Sequence, residues 1–253
     1  MAPLARCDSV ISRGHNGAKQ LSDKQSPCLL CGLQVQGTSV ASAQHCGCAT
    51  ANGGSVEIER SENVYEREMG GEKGTIFLDP VDGTHNALAG IPFYALSIAY
   101  AEEGEVRQGF VRDLAHRETF TARQGKGAFL DGKPIRVSRT QLLEESAMSV
   151  YGRKFNPRPV LFLGQKIRRW RLLGASALEL CYVAAGRLDG FIDLRATLRV
   201  TDAAAGMLVC EEAGGKVSDL EGRRIRFPDE VTVGKCLVAS NGTLHGKVIE
   251  YLR

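Results

Sequence analysis

The stretch FLDPVDGTHN, residues 77–86, sets Asp79 and Asp82 on either side of a Pro-Val pair, directly after an apolar run and directly before Gly-Thr. Asp79 ends a predicted strand and Pro80 stiffens the turn that follows, so both carboxylates converge on one point above a sheet edge. Converging anions resist ionisation unless a cation compensates them. Oxygen donors with no His or Cys beside them favour Mg²⁺ over Zn²⁺, and the Val81 carbonyl, held in the same turn, offers one more oxygen. Gly83 and Thr84 then present backbone N–H groups at a helix start, a place suited to phosphate. Metal and phosphate on adjacent residues point to phosphoryl chemistry. Taken alone, the hexapeptide DPVDGT also reads as a surface turn with an Asx cap.

Outward from this stretch, the chain is punctuated like an alternating α and β protein. Strands are predicted in SVEIER, GTIFLD, FYALSIAYA, VRQGFVRD, ETFTARQ, GFIDL, KVSDL and CLVAS, with EEGE, LAHR and the Asp131-Gly132 pair as turns. In SALELCYVAAGRLDG, Leu178, Cys181, Tyr182 and Ala185 recur at helical spacing and Gly186 stops the helix. In TDAAAGMLVCEEAGG, small residues allow close packing on a sheet, Asp202 stands where an N-cap belongs, and Gly214 and Gly215 end the helix. LHGKVIEYLR forms a last helix. These elements predict an α/β fold of packed layers.

Composition narrows the function classes. Hydrophobic residues at 43% and charged residues at 24% suit a globular chain, and no apolar run is long enough to span a bilayer. No secretory signal is visible at the N-terminus, so a cytoplasmic protein is expected. A formal charge of +3, dispersed among 29 acids, does not predict a nucleic-acid surface or a membrane partner.

The motifs FLDPVDGTHNALAGIPFYALSIA and VTDAAAGMLVCEEAGG, in that order, resemble the inositol monophosphatase superfamily of Mg²⁺-dependent, lithium-sensitive phosphatases, over about residues 55–253. LLGASALELCYVAAGRLDGFIDLR leading into LRVTD is similar to the archaeal branch that acts on both fructose 1,6-bisphosphate and inositol 1-phosphate. The resemblance implies a layered αβαβα sandwich of mixed and antiparallel sheets, a homodimer, and two or three Mg²⁺ ions per site. It implies metal ligands at Glu62, Asp79, the Val81 carbonyl, Asp82 and Asp202, with Thr84 and Glu62 in catalysis. On the substrate side it implies Asp82, Gly83, Thr84, Gly174, Ala175 and Ser176. Arg195 stands where inositol-preferring members carry a glutamate, and its guanidinium fork, with Arg171 beside the GAS turn, suits a second phosphate on a sugar. The implied reaction is in-line displacement of the phosphate ester by water, without a covalent phosphoenzyme.

Residues 1–54 depart from this pattern: no sustained period, few charges, and five of the chain's eight cysteines. Asp23 is a weak stand-in for the acid that relatives carry on an early helix. Three readings stand: a genuine alternative N-terminus, a zinc site drawing on Cys28, Cys31, His45, Cys46 and Cys48, or a shifted reading frame, which the composition favours. Cys181, Cys210 and Cys236 lie singly in apolar segments and are expected to be buried thiols. Besides a fructose-1,6-bisphosphatase or inositol monophosphatase, two other functions remain open: an adenosine 3′,5′-bisphosphate phosphatase, and an impaired relative that binds phosphate without turnover.

Overall fold

The computed structural model describes residues 64–69, 72–151, 158–225 and 233–253. Strands β1 (Val64–Met69) and β2 (Glu72–Asp82) begin an antiparallel meander, and helix α1 (Thr84–Ala89) follows β2 directly. The meander continues through β3 (Ala95–Glu102), β4 (Glu105–Asp113), β5 (Thr119–Arg123), β6 (Ala128–Leu130) and β7 (Lys133–Pro134), each strand paired with the next. Two of its hairpins close on residue pairs with positive φ, Glu103-Gly104 at 51° and 73° and Asp131-Gly132 at 47° and 77°. That backbone matches the twist of the flanking strands, and the turn predicted at Asp131-Gly132 is found there.

The second sheet is mixed. It contains β8 (Ala147–Tyr151), β9 (Arg169–Arg171), β10 (Gly190–Leu198), β11 (Lys216–Ser218) and β12 (Lys235–Ser240), in the order β11-β12-β10-β8-β9. β8 runs parallel to β9 and β10, whereas β12 pairs antiparallel with β10 and β11. Helices α2 (Arg158–Gly164), α3 (Ser176–Ala184), α4 (Val200–Glu212) and α5 (His245–Leu252) complete the described elements.

Side-chain alternation along the second sheet explains the layering. Phe191, Leu237 and Ala239 point to the core that α3 and α4 share with the first sheet. Their neighbours Ile192 and Val238 point the other way, joining Met148, Val160, Leu163, Val248 and Leu252 under α2 and α5. The described layers therefore run sheet, helix pair, sheet, helix pair, as expected of the sandwich. Each large apolar side chain buried this way stabilises the fold by about 1.5–3 kcal/mol.

Small residues set how closely the layers approach. A Cβ on Gly109 of β4 would lie 2.8 Å from the Ala205 carbonyl of α4, and one on Gly206 would lie 2.8 Å from Leu180 Cβ of α3. The run AAAG in α4 thus lets one helix touch both a strand and a neighbouring helix. The Ser97 hydroxyl of β3 donates to the Thr201 carbonyl at 3.2 Å, which fixes the N-terminal turn of α4 over the first sheet.

Two expectations need correction. Asp202 is the third residue of α4; the cap position belongs to Arg199, which makes no side-chain cap hydrogen bond. Cys181 and Cys210 are buried free thiols, and burial pushes Cys210 up to about 12, but Cys236 is only partly covered on a short strand. Residues 1–63, and with them SVEIER, Asp23, the five early cysteines, His45 and Glu62, lie outside the described residues.

Candidate active site

Residues three apart on a regular strand face opposite sides. Asp79 and Asp82 escape that rule because the β2–β3 pairing shifts register between them: Asp79 opposes Ser97 and Asp82 opposes Ala95. The extra residue on β2 is a bulge, and it turns Asp82 to the helix side of the sheet where Asp79 already points. Both carboxylates are buried, at 8% and 7% exposure. The Val81 N–H donates to Asp79 Oδ1 at 3.0 Å, and the Ala177 N–H, in the first turn of α3, donates to Asp82 Oδ2 at 2.7 Å. Thr84 Oγ1 donates to the Val81 carbonyl at 2.8 Å, closing the turn.

Asp202 completes the cluster from α4. Burial, then Asp202, raise Asp79 to about 6, and burial, Asp202 and Asp79 raise Asp82 well above the carboxylate range. Arg199 pairs with two members of the group: its Nη2 lies 2.9 Å from Asp202 Oδ1 and 3.9 Å from Asp79 Oδ2. Among the described residues, no three His, Cys, Asp or Glu side chains are gathered tightly enough to hold a metal ion. The chemistry of the donor set nevertheless fits Mg²⁺: carboxylate oxygens and a carbonyl, no nitrogen or sulfur, and mutual repulsion that a cation would relieve.

The backbone beside the cluster is drawn tight by a second contact. Gly83 has φ 83°, and a Cβ there would lie 2.9 Å from Ala175 Cβ and 3.2 Å from the Gly174 carbonyl. Gly174, with φ 96°, faces Asn86, whose Nδ2 donates to the Phe93 carbonyl at 2.8 Å and to the Leu173 carbonyl at 2.7 Å. Gly83, Thr84, Gly174 and Ala175 are thereby brought together, with Ser176 buried as the first residue of α3. Arg195 sits nearby. Its Nε donates to Asp193 Oδ1 at 3.0 Å, its guanidinium lies 3.7 Å from the Tyr151 ring centre, and it feels the field of Asp202. Arg171 is exposed and hydrogen-bonded to the Trp170 carbonyl.

Sequence reasoning missed Asn86, Glu179, Asp193, Arg199 and Ser97. A signal existed for two of them: Glu179 is a charge inside an otherwise apolar helical stripe, and Arg199 stands one helical turn before Asp202.

A buried carboxylate cluster at a bulged strand end thus faces a glycine-lined turn across a sheet–helix interface of a layered α/β fold. The chain belongs to the inositol monophosphatase family, matching it over residues 29–253, and membership implies Mg²⁺-dependent hydrolysis of sugar or inositol phosphate monoesters. It is 41% identical over 202 residues to a fructose-1,6-bisphosphatase/inositol-1-monophosphatase of Methanothermobacter thermautotrophicus, covering 75% of this chain and 71% of that one. It is 35% identical over 212 residues to a bifunctional NADP phosphatase/NAD kinase of Methanococcus maripaludis, covering 75% of this chain and 38% of the relative. Among solved structures it resembles the IMPase of Thermotoga maritima, with a TM-score of 0.64 and 37% identity over 70% of this chain and 67% of that one.

Proposed function

We propose that this chain releases phosphate from fructose 1,6-bisphosphate and inositol 1-phosphate by in-line attack of water. The observation that carries the reading is the bulge that turns Asp79 and Asp82 to one face, beside the contact between Gly83 and the Gly174–Ala175 turn. Asp79, Asp82, Asp202, the Val81 carbonyl and Glu62 are the residues that would hold Mg²⁺, two or three ions per site. When bound, Mg²⁺ supplies Lewis acidity toward the attacking water and the leaving oxygen.

The protein's own groups do the rest. Thr84, hydrogen-bonded to the Val81 carbonyl, stands where it can orient the attacking water. The backbone of Gly83 and of Gly174–Ser176 lines the phosphate's place. Arg195, pre-set by Asp193 and Tyr151, offers a guanidinium to a second phosphate, which favours the bisphosphorylated sugar. We further assign the chain to the cytoplasm as a homodimer acting on small molecules.

One observation favours a second reading, a phosphate-binding relative without turnover: Arg199 already neutralises part of the acidic cluster. The experiment measures Mg²⁺-dependent phosphate release from fructose 1,6-bisphosphate, inositol 1-phosphate, adenosine 3′,5′-bisphosphate and NADP⁺, beside Asp82→Asn. Release from the first two, lost in the variant, is expected. A preference for adenosine 3′,5′-bisphosphate or NADP⁺ would replace the substrate assignment, and no release from any of the four by folded protein would leave the second reading.

A further inference from the structure

Glu179 lies in the first turn of α3, and its side chain is wholly buried. A carboxylate in that position is destabilising unless hydrogen bonds compensate it. Its partners share one location. Oε1 accepts the Leu173 N–H at 3.0 Å and the Ser149 hydroxyl, and the Gly174 N–H also favours the anion. The same Ser149 hydroxyl lies 3.4 Å from the Arg171 carbonyl. Oε2 is buried with no hydrogen-bond partner.

The backbone held by Glu179 leads straight into the site. The Leu173 carbonyl accepts Asn86 Nδ2, Gly174 abuts the Asn86 amide, and the Ala177 N–H reaches Asp82 Oδ2. All three contacts need residues 173–177 at one height above α1. An apolar residue at 179 would suit the helix stripe but would leave the Leu173 N–H without an acceptor.

We propose that Glu179, steadied by Ser149, is a positioning residue that sets the turn Gly174–Ser176 against Asp82 and Asn86. The inference rests on the phosphatase reading for its consequence in turnover, though not for the tie itself. Glu179 acts through an acceptor oxygen and not through charge: burial raises it to about 7, and Oε1 accepts in either protonation state. A turn displaced by about 1 Å would hold the phosphate less well in the ground state and the transition state alike, which raises KM more than it lowers kcat.

The test compares the full chain with Glu179→Gln, Glu179→Ala and Ser149→Ala. It measures steady-state phosphate release from fructose 1,6-bisphosphate with Mg²⁺, and amide hydrogen exchange of peptides spanning residues 171–178. Glu179→Gln keeps the acceptor and is expected to stay within about threefold of the parent in kcat and KM. Glu179→Ala is expected to raise KM about tenfold or more, to change kcat less, and to speed exchange at residues 173–177. Parental KM and exchange in a folded Glu179→Ala protein overturn the proposal, as does a Glu179→Gln protein as impaired as Glu179→Ala. Should Glu179→Ala fail to fold, exchange in Ser149→Ala decides: faster at residues 173–177 supports the tie, unchanged overturns it. A parent chain that releases no phosphate overturns the phosphatase reading, and hydrogen exchange alone then judges Glu179.

Discussion

Arg199 Nη2 bridges Asp202 Oδ1 at 2.9 Å and Asp79 Oδ2 at 3.9 Å, so one guanidinium spans carboxylates contributed by α4 and by the end of β2. Both carboxylates belong to the set proposed to hold Mg²⁺, so the guanidinium and the ion would compete for the same oxygens. Arg199→Gln should therefore tighten Mg²⁺ binding, measured by titration calorimetry, by about two- to fivefold, the scale of a partly exposed ion pair. The same variant in EDTA should melt lower than the parent. Weaker Mg²⁺ binding would mean that Arg199 supports the ion's site instead of competing with it.

Gly83 cannot take a side chain without cost. Its φ of 83° disfavours any L residue, and a Cβ would meet Ala175 Cβ at 2.9 Å. Gly83→Ala is expected to lose about 1–3 kcal/mol in denaturant unfolding and at least tenfold in kcat/KM, because the strain falls on the contact between the two halves of the site. Gly125→Ala, at φ 70° with nothing within 4 Å, is the control for backbone strain alone. Equal activity in the two variants would refute the contact argument.

Asn86 satisfies two carbonyls from separate segments with one amide nitrogen. Asn86→Asp removes both donors and places a carboxylate against the carbonyls of Phe93 and Leu173. Destabilisation of about 2–4 kcal/mol follows from two unpaired buried acceptors. Chemical denaturation at pH 7 measures it, and a loss below about 0.5 kcal/mol would show that the loop can rearrange.

His245 makes stability depend on pH. It is 2% exposed, its Nε2 and Nδ1 meet the Ser218 and Ser240 hydroxyls at 2.7 and 2.9 Å, and burial, aided by Lys216, lowers it to about 4. The folded pKa lies below the unfolded value, so the unfolded chain binds more protons between them. The contribution is full above about 6.5, declines as pH falls toward 4, and totals at most about 3 kcal/mol. Asp79 and Glu179 act with the opposite sign, since raised carboxylates favour the folded state at low pH and lose that contribution as pH rises through about 6 and 7. The difference between parent and His245→Asn unfolding curves isolates the histidine: it should shrink from pH 7 to pH 4, and a constant difference would contradict the assignment.

Much of this architecture was legible because it is periodic. β2 to β5, β10 to β12 and the helices α3, α4 and α5 follow from alternation, helical spacing and terminating glycines. β1, β6, β7, β8, β9 and α2 were missed. β9 is Arg-Trp-Arg, exposed along its length, and exists through parallel pairing with β8 instead of through its own pattern. Within the site, two aspartates close in sequence were readable, but the bulge that aims them together is a property of the register with β3. Asn86 and Ser97 act through the carbonyls of Leu173 and Thr201 far away in the chain, and Glu179 depends on the hydroxyl of Ser149 on another strand; no local pattern announces such partners.

The bonds that assemble the site also order events in time. Ala177 reaches Asp82 across 95 residues and Ser97 reaches Thr201 across 104. Loop closure over such separations is slow compared with forming a hairpin or a helix turn. The meander from β2 to β5 can pair from neighbouring segments, while the site has to wait for α3 and α4 to dock. During synthesis, the nascent chain holds Asp79 and Asp82 on a strand end with neither partner beside them until Ala177, 95 residues beyond Asp82, and then Asp202 have emerged.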